Sequence, residues 1–182
     1  APLTVVELAT QTGYFLGLEP EVISSCCGSL FGADGRGVAS ELASLPPWPT
    51  LVLFCGMGGL ILASGGRLLH ALASAPSPGG RGEIAGTLFA WVSLLGFGVA
   101  IAAIIAALSP YVYENPNHHC PFCLLKAGYS HVGYALYIPL FAATAAGLGA
   151  GIIAPFRHVV SLQAVVPGEA RRLTWLALGG FG

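Results

Sequence analysis

Three long runs of apolar residues constrain this chain more than any other feature of its sequence. They extend from about Thr50 to Ala73, from near Ile84 to near Leu108, and from around Cys120 to about Ile153. A helix needs roughly 20 apolar residues to cross a bilayer. Lipid offers the backbone no hydrogen-bond partners, so such runs are expected to be helical. The sequence therefore predicts an all-α, polytopic transmembrane helical bundle with three visible spans and further spans flanking them.

The composition supports a membrane environment and excludes one large class of partners. Charged residues make up 8% of the chain, against about 25% in ordinary soluble domains, and the mean hydropathy is +0.77. The formal net charge of −1 provides no basic surface for nucleic acid. The lipid bilayer is thus the first predicted partner, and nucleic acid is not expected to be one.

Basic residues outside the spans predict the orientation. Arg67 and Arg81 flank the connection between the first two spans, and Arg157, Arg171 and Arg172 follow the third. Basic residues are enriched in cytoplasmic loops. We therefore expect these two regions to be cytoplasmic and the protein to lie in a bacterial inner membrane or its equivalent.

The same reasoning divides the chain into three parts. Residues 1–49 are expected to form an extracytoplasmic segment in which "GVASELASL" is a short interfacial helix. Residues 50–156 form the transmembrane bundle. Residues 157–182 form a cytoplasmic segment, and its last stretch, "LTWLALGGFG", is typical of the first turns of another span. We expect the chain to be part of a longer polypeptide.

Small residues recur along two of the spans. Gly147 and Gly151 form a GxxxG pair, and Gly56, Gly59 and Gly65 lie in the first span. Small residues let helix backbones approach closely in lipid. All five are therefore expected to serve helix packing.

The stretch "HHCPFC", residues 118–123, carries the strongest chemical signal. Cys120 and Cys123 are three residues apart, which on a helix places them on one face. Pro121 suits the first helical position, so Cys120 is expected near the N-cap. The positive end of a helix dipole favours a thiolate there, and His118 and His119 act in the same direction when protonated. A Cys-x-x-Cys pair at a helix start is suited to reversible disulfide exchange.

The predicted orientation places a second cysteine pair on the same side of the membrane. Cys26 and Cys27 join Cys120 and Cys123 at the extracytoplasmic surface, where disulfides persist. Cys55 is the cysteine that falls inside a span, and we expect it to be a small buried apolar residue.

The order of these features resembles the vitamin K epoxide reductase family, and the DsbB-type quinone–disulfide enzymes share its chemistry. The residues that carry the resemblance are Cys26 and Cys27, the connection "FGADGRGVASELASLPPW", and "CPFCLL" at the start of the last span. The resemblance covers roughly residues 20 to 155. In this family a four-helix bundle holds a quinone beside the Cys-x-x-Cys pair, and loop cysteines exchange electrons with a thioredoxin-like partner.

Carried over, the resemblance implies that Cys120 and Cys123 face the quinone and that Cys26 and Cys27 form the shuttle pair. Adjacent cysteines form a strained ring when they pair with each other. Pairing of one of them with Cys120 or Cys123 therefore remains open.

The third span adds candidate quinone ligands. Cys120, Cys123, Ala127, His131 and Tyr134 recur at helical spacing and are expected to form one stripe. The imidazole of His131 and the hydroxyl of Tyr134 are suited to hydrogen-bonding a quinone carbonyl.

The resulting hypothesis is a thiol–disulfide oxidoreductase. A thiolate at Cys120, supported by His119, attacks a disulfide or a quinone, and Cys123 resolves the product. Cys26 or Cys27 then relays the disulfide to an extracytoplasmic substrate. The attacking and resolving roles of Cys120 and Cys123 are interchangeable at this level.

Two alternatives stay open. Four donors, His118, His119, Cys120 and Cys123, suit a Zn or Cu site, which would need Cys26 or Cys27 as well because three consecutive residues rarely face one ion. A scaffold subunit of a membrane complex, with structural disulfides in its outer loops, is the other alternative.

Overall fold

The described part of the chain is helical throughout. A computed structural model describes residues 2–16, 37–74 and 80–182, and no β-strand occurs within these ranges. The α-helices are α1 (Pro2–Leu16), α2 (Val38–Ala43), α3 (Pro47–Ala73), α4 (Arg81–Ala103), α5 (Ser109–Tyr113), α6 (Val132–Ile153) and α7 (Val166–Phe181). A π-helical turn (Ile104–Leu108) joins α4 to α5, and 3₁₀ turns occupy Pro121–Leu125, Ala127–Tyr129 and Ala154–His158.

The predicted fold class is confirmed. Among the described residues, three helical segments are long and apolar enough to cross a bilayer: Pro47–Ala73, Gly82–Tyr113 and Val132–His158. At most 39% of the most apolar 18 residues of any span is buried inside the protein, so most of their apolar side chains face outward and need lipid around them. The chain is an integral membrane protein.

The span boundaries differ from the predicted ones for local reasons. The first span begins at Pro47 because prolines are tolerated in the first helical turn, whose N–H groups have no helical partner. The second continues past Leu108 through the π-helical turn to Tyr113. The third begins later than predicted, as described below with the cysteines.

Four of the described helices form the bundle. Helices α3, α4, α6 and α7 pack in the order α3–α4–α6–α7, and α7 also contacts α3. Their directions alternate. We call the end that holds residues 113–131 the Cys end, and the opposite end, where Ala71, Gly82 and Arg157 meet, the Arg end.

Close backbone contact between α4 and α6 depends on glycine. A Cβ atom on Gly151 would lie 2.5 Å from the Gly86 carbonyl oxygen and 2.5 Å from the Ala90 Cβ. Gly147 lies directly against Ser93 of α4. The predicted packing role of the GxxxG pair is therefore confirmed.

The glycines of the first span divide into two groups. Gly65 contacts α7, because a Cβ there would lie 2.7 Å from a methyl carbon of Leu178. Gly56 and Gly59 have open space around them in the part of the chain that the structure describes, so the predicted packing role is not seen for these two there. Cys55 is also exposed rather than buried, because it lies on the outward face of α3.

A buried arginine joins three helices at the Arg end. Arg157, in the 3₁₀ turn after α6, is 5% exposed and donates from Nη1 to the Ala71 carbonyl at 2.7 Å. Its guanidinium occupies the space beside Gly82 that any larger residue would need. Because Ala71 lies in the last turn of α3 and Gly82 in the first turn of α4, the cation also faces a negative helix terminus.

The C-terminal helix starts earlier than the stretch "LTWLALGGFG", from which it was predicted. Helix α7 begins at Val166 and carries Arg171 and Arg172 as exposed residues of its first half. It runs antiparallel to α6, so that Gly180 approaches Pro139 and Ala143 near the Cys end. The helix therefore returns along the bundle toward the Cys end.

The glycine contacts generate a stability prediction. We expect Gly151→Ala to lower the free energy of unfolding by about 1–3 kcal/mol, because its methyl group overlaps the Gly86 carbonyl and Ala90. Thermal unfolding of the purified protein in detergent measures the change. Gly59→Ala is the matched control and should be neutral or slightly stabilising, since open space surrounds it. Equal melting temperatures for the two variants would contradict the proposed helix crossing.

Candidate functional site

The last span starts at Val132, so the prediction that it starts around Cys120 is wrong. Lys126 is extended, with φ −78° and ψ 151°, and separates two short 3₁₀ turns. Ser130 and His131 then take left-handed backbone conformations, with φ of 53° and 56°. Left-handed residues do not continue a right-handed helix. The segment between the cysteines and the span is therefore a chain of turns.

This break disperses the predicted helical stripe. Cys120 and Cys123 belong to the first 3₁₀ turn, while His131 precedes α6 and Tyr134 lies in its first turn. The His131 imidazole bonds through Nδ1 to the Leu125 carbonyl at 2.8 Å, and its ring centroid is 5.9 Å from that of Tyr134. Both residues are exposed at the Cys end. His131 and Tyr134 therefore contact each other, and they do not continue one helical stripe with Cys120 and Cys123.

The two cysteines lie where a helical turn begins, as predicted, but the turn is short. Cys120 is the N-cap residue of Pro121–Leu125, and Pro121 occupies the start of the turn. A single 3₁₀ turn aligns few peptide dipoles, so its positive end is weaker than that of the long helix predicted here.

Both cysteines are enclosed. Cys120 is 0% exposed and Cys123 is 3% exposed, whereas Phe122 between them is 61% exposed. The cysteines belong to the buried cluster at the Cys end, which we call the Cys cluster: Ala43, Ala100, Ile104, Ile105, Tyr113, Cys120, Cys123, Leu124 and Leu140. The pair is therefore part of the apolar core and lies below the surface.

Two tyrosines hold the backbone of the cysteine turn. The Tyr113 hydroxyl donates to the Cys120 carbonyl at 2.6 Å, and the Tyr137 hydroxyl donates to the Pro121 carbonyl at 2.9 Å. Tyr113 ends the second span and Tyr137 lies in the third. The turn is thereby fixed to both helices that flank it.

The π-helical turn supplies a third attachment, through His119. Ser109 donates its N–H to the Ile104 carbonyl five residues earlier, and residue 110 is a proline without an N–H. The Ile105 carbonyl thus loses its usual donor, Ser109, and residue 110 cannot replace it. It accepts instead from Nδ1 of His119 at 3.1 Å, which requires the proton of that imidazole nitrogen.

His118 lies against the same tyrosine that holds Cys120. Its ring centroid is 4.3 Å from that of Tyr113 in an edge-to-face arrangement. Tyr129 contacts Tyr113 at 4.5 Å. The two predicted histidines thus differ in surroundings: His119 is bonded to the π-helical turn, and His118 packs on an aromatic ring.

An apolar cavity of about 280 Å³ lies beside the Cys cluster. Its lining comes from α3, α4, the π-helical turn, α6 and the end of α7. Ala100, Ile104 and Leu140 belong both to this lining and to the Cys cluster, so the cavity borders that cluster. Phe54 and Cys55, exposed on α3, lie at its outward side. No charged side chain of the described residues lines the cavity.

The structure bears differently on the predicted shuttle cysteines, the metal site and the quinone ligands. Cys26 and Cys27 lie outside the described residues. Within the described ranges, no three His, Cys, Asp or Glu side chains come together as a metal site. His131 and Tyr134, the predicted quinone ligands, do not line the cavity.

Sequence reasoning missed Tyr113, Ile105 and the cavity. Pro110 in "SPYVY" was the available signal, because a proline inside an apolar helix removes a backbone donor and disturbs the preceding turn. Comparison with protein-family models, curated proteins and solved structures yields no match for this chain. The site must therefore be interpreted from its own geometry.

The hydrogen bond from His119 to the Ile105 carbonyl can be tested as an anchor of the cysteine turn. We expect His119→Leu to lower the free energy of unfolding by about 1–3 kcal/mol, because the Ile105 carbonyl loses its donor. His119→Asn places an amide N–H near the position of Nδ1 and should retain most of the stability. Chemical unfolding and the rate of Cys120 alkylation measure both variants. Identical unfolding curves for the Leu and Asn variants would contradict an anchoring role.

Proposed function

We propose that the protein is a thiol–disulfide oxidoreductase that passes electrons between Cys120–Cys123 and a membrane quinone. The observation that carries this proposal is that three residues of the Cys cluster, Ala100, Ile104 and Leu140, also line an apolar cavity. A structural disulfide in an outer loop requires no such cavity. A quinone is an apolar ring dissolved in the bilayer and suits both the size and the lining of this one.

The chemistry balances between the two reactants. Oxidation of the Cys120 and Cys123 thiols forms one S–S bond and releases two electrons and two protons. A quinone takes up both electrons and both protons and leaves as the hydroquinone. The spacing of the two cysteines supports this reaction, because side chains three residues apart in a 3₁₀ turn lie over one another.

The contacts around the turn support preorganisation. Tyr113, Tyr137 and His119 fix the backbone of residues 119–121 to the second and third spans. Groups held in place before the reaction lower the entropy cost of bringing reactants together. The turn is thus suited to presenting its sulfur atoms in one orientation.

The distribution of arginines supports a membrane orientation for the Cys end. We place the Cys end at the extracytoplasmic face of a bacterial inner membrane or its equivalent, since Arg67 and Arg157 lie toward the opposite end. Cys26 and Cys27 would relay the disulfide to a thioredoxin-like partner in that compartment.

The test uses native membranes. We expect Cys120→Ser and Cys123→Ser each to abolish quinone-dependent disulfide formation, because either sulfur alone cannot close the bond. Differential alkylation followed by mass spectrometry measures the thiols before and after a short-chain benzoquinone is added. Val160→Ser is the control and should cycle normally, since this exposed residue follows the turn at the Arg end and does not line the cavity.

Three outcomes distinguish the alternatives. Thiols that become oxidised with the quinone and reduced again with reductant support the proposal. A pair that stays oxidised under all conditions would favour the scaffold function with a structural disulfide. Thiols that resist alkylation until a chelator is added would favour a Zn or Cu site.

A further inference from the structure

The outer face of α7 changes from cationic to apolar along the helix. Its inner face consists of residues that are 0% exposed: Ala170, Thr174 and Ala177. Arg171 and Arg172 are exposed on the other side, and Trp175 and Leu176, 56% and 57% exposed, follow one turn later. Residues three or four apart are neighbours on a helix surface, so the arginines border the two apolar side chains directly.

The contact of α7 with α6 sets the depth of this outer face. A Cβ atom on Gly149 of α6 would lie 3.3 Å from a methyl carbon of Leu173. Gly149 belongs to the third membrane span. Trp175 and Leu176 lie further from the Arg end than Leu173, because α7 runs toward the Cys end. These exposed apolar side chains are therefore at the depth of the lipid.

The two arginines lie between this apolar surface and the Arg end. Arg171 follows Val166, the first residue of α7, by five residues, which corresponds to about 8 Å along the helix axis. Cα–Cβ bonds tilt toward the N-terminus of a helix, which here is at the Arg end. A charge in hydrocarbon is costly, and a long basic side chain avoids this by extending to the headgroups. Arg171 and Arg172 are placed to do so.

The protein itself does not neutralise these two cations. No carboxylate of the described residues forms an ion pair with Arg171 or Arg172, although Glu169 lies three residues before Arg172. Arg157 differs, because it is buried and donates to the Ala71 carbonyl. Two adjacent guanidinium groups thus stay open to an anion from outside the described residues.

Trp175 indicates what kind of anion fits. Tryptophan is enriched at the boundary between headgroups and hydrocarbon. The outer face of α7 presents Arg172, then Trp175, then Leu176, with distance from the Arg end. A phospholipid presents its phosphate, its glycerol region and its acyl chains in the same order.

We propose that Arg171 and Arg172 bind the headgroup phosphate of an anionic phospholipid at the Arg end. Guanidinium groups form paired, charge-assisted hydrogen bonds with phosphate oxygens. An anionic lipid binds more strongly than a zwitterionic one, since it carries no ammonium group to offset the attraction of the arginines. Trp175 lies beside the glycerol region and Leu176 beside the acyl chains. The site is separate from the cysteines and does not depend on the redox function proposed above.

The experiment measures lipid binding through thermal stabilisation. The full chain is purified in a neutral detergent, and its melting temperature is followed as phosphatidylglycerol or phosphatidylcholine is added. We expect phosphatidylglycerol to raise the melting temperature saturably. Arg171→Gln and Arg172→Gln should each raise the apparent Kd about fivefold, and the double variant about 25-fold, from the usual contribution of one arginine near anionic lipid.

Matched variants separate a lipid site from a general charge effect. Arg67→Gln removes the same charge from an exposed position on α3 that has no aromatic residue one turn toward the Cys end, and should leave the apparent Kd unchanged. Arg172→Lys keeps the charge and should retain most of the affinity. Each variant is compared with its own lipid-free melting temperature, so a change in folding stability does not count as a change in binding.

Three results would overturn the inference. The first is an unchanged apparent Kd in the double variant, which would place the lipid elsewhere or leave the arginines to a protein partner. The second is a response to phosphatidylglycerol that is absent or equal to the response to phosphatidylcholine. The third is equal stabilisation by inorganic phosphate, which would identify a site for free anions.

Discussion

The arrangement of the Cys end depends on one missing backbone donor. Because residue 110 is proline, the helix cannot keep its regular hydrogen bonds and passes through a π-helical turn. Such turns often occur at functional sites. Here the turn leaves the Ile105 carbonyl available to His119, which immediately precedes Cys120. The missing hydrogen bond would only weaken an isolated helix. Here the free Ile105 carbonyl binds the loop that carries the cysteines.

The opposite end is stabilised in a different way. Helices in lipid gain little from the hydrophobic effect between them, so close contact and polar bonds must hold the bundle together. Gly151 supplies the close contact between α4 and α6, and Arg157 supplies the polar bond to the end of α3. These contacts fix the helix crossings toward the Arg end, while the cavity of about 280 Å³ lies near the Cys end among Gly96, Ala100 and Leu140.

The sequence predicted the fold better than the site, and the reason is physical. Hydrophobic length determines a span almost regardless of neighbours, so the three spans and the all-α class were predictable. The site depends on which carbonyl lacks a donor and on which side chains meet across elements. Neither the left-handed conformation of His131 nor the contact of Tyr113 with Cys120 has a periodic signature. Cys120 and Cys123 were identifiable from spacing alone, but their depth in the core was not.

The depth of the cysteines bears on the kind of reactant that reaches them. A protein disulfide needs an exposed sulfur for attack, because the three sulfur atoms of an exchange reaction must align. Cys120 at 0% and Cys123 at 3% exposure offer little surface to a folded partner. Under the proposed function, a small apolar oxidant would instead come from the lipid by way of the cavity that Ile104 lines. The depth of the pair therefore agrees with the proposal that its direct reactant is small and apolar rather than a folded protein.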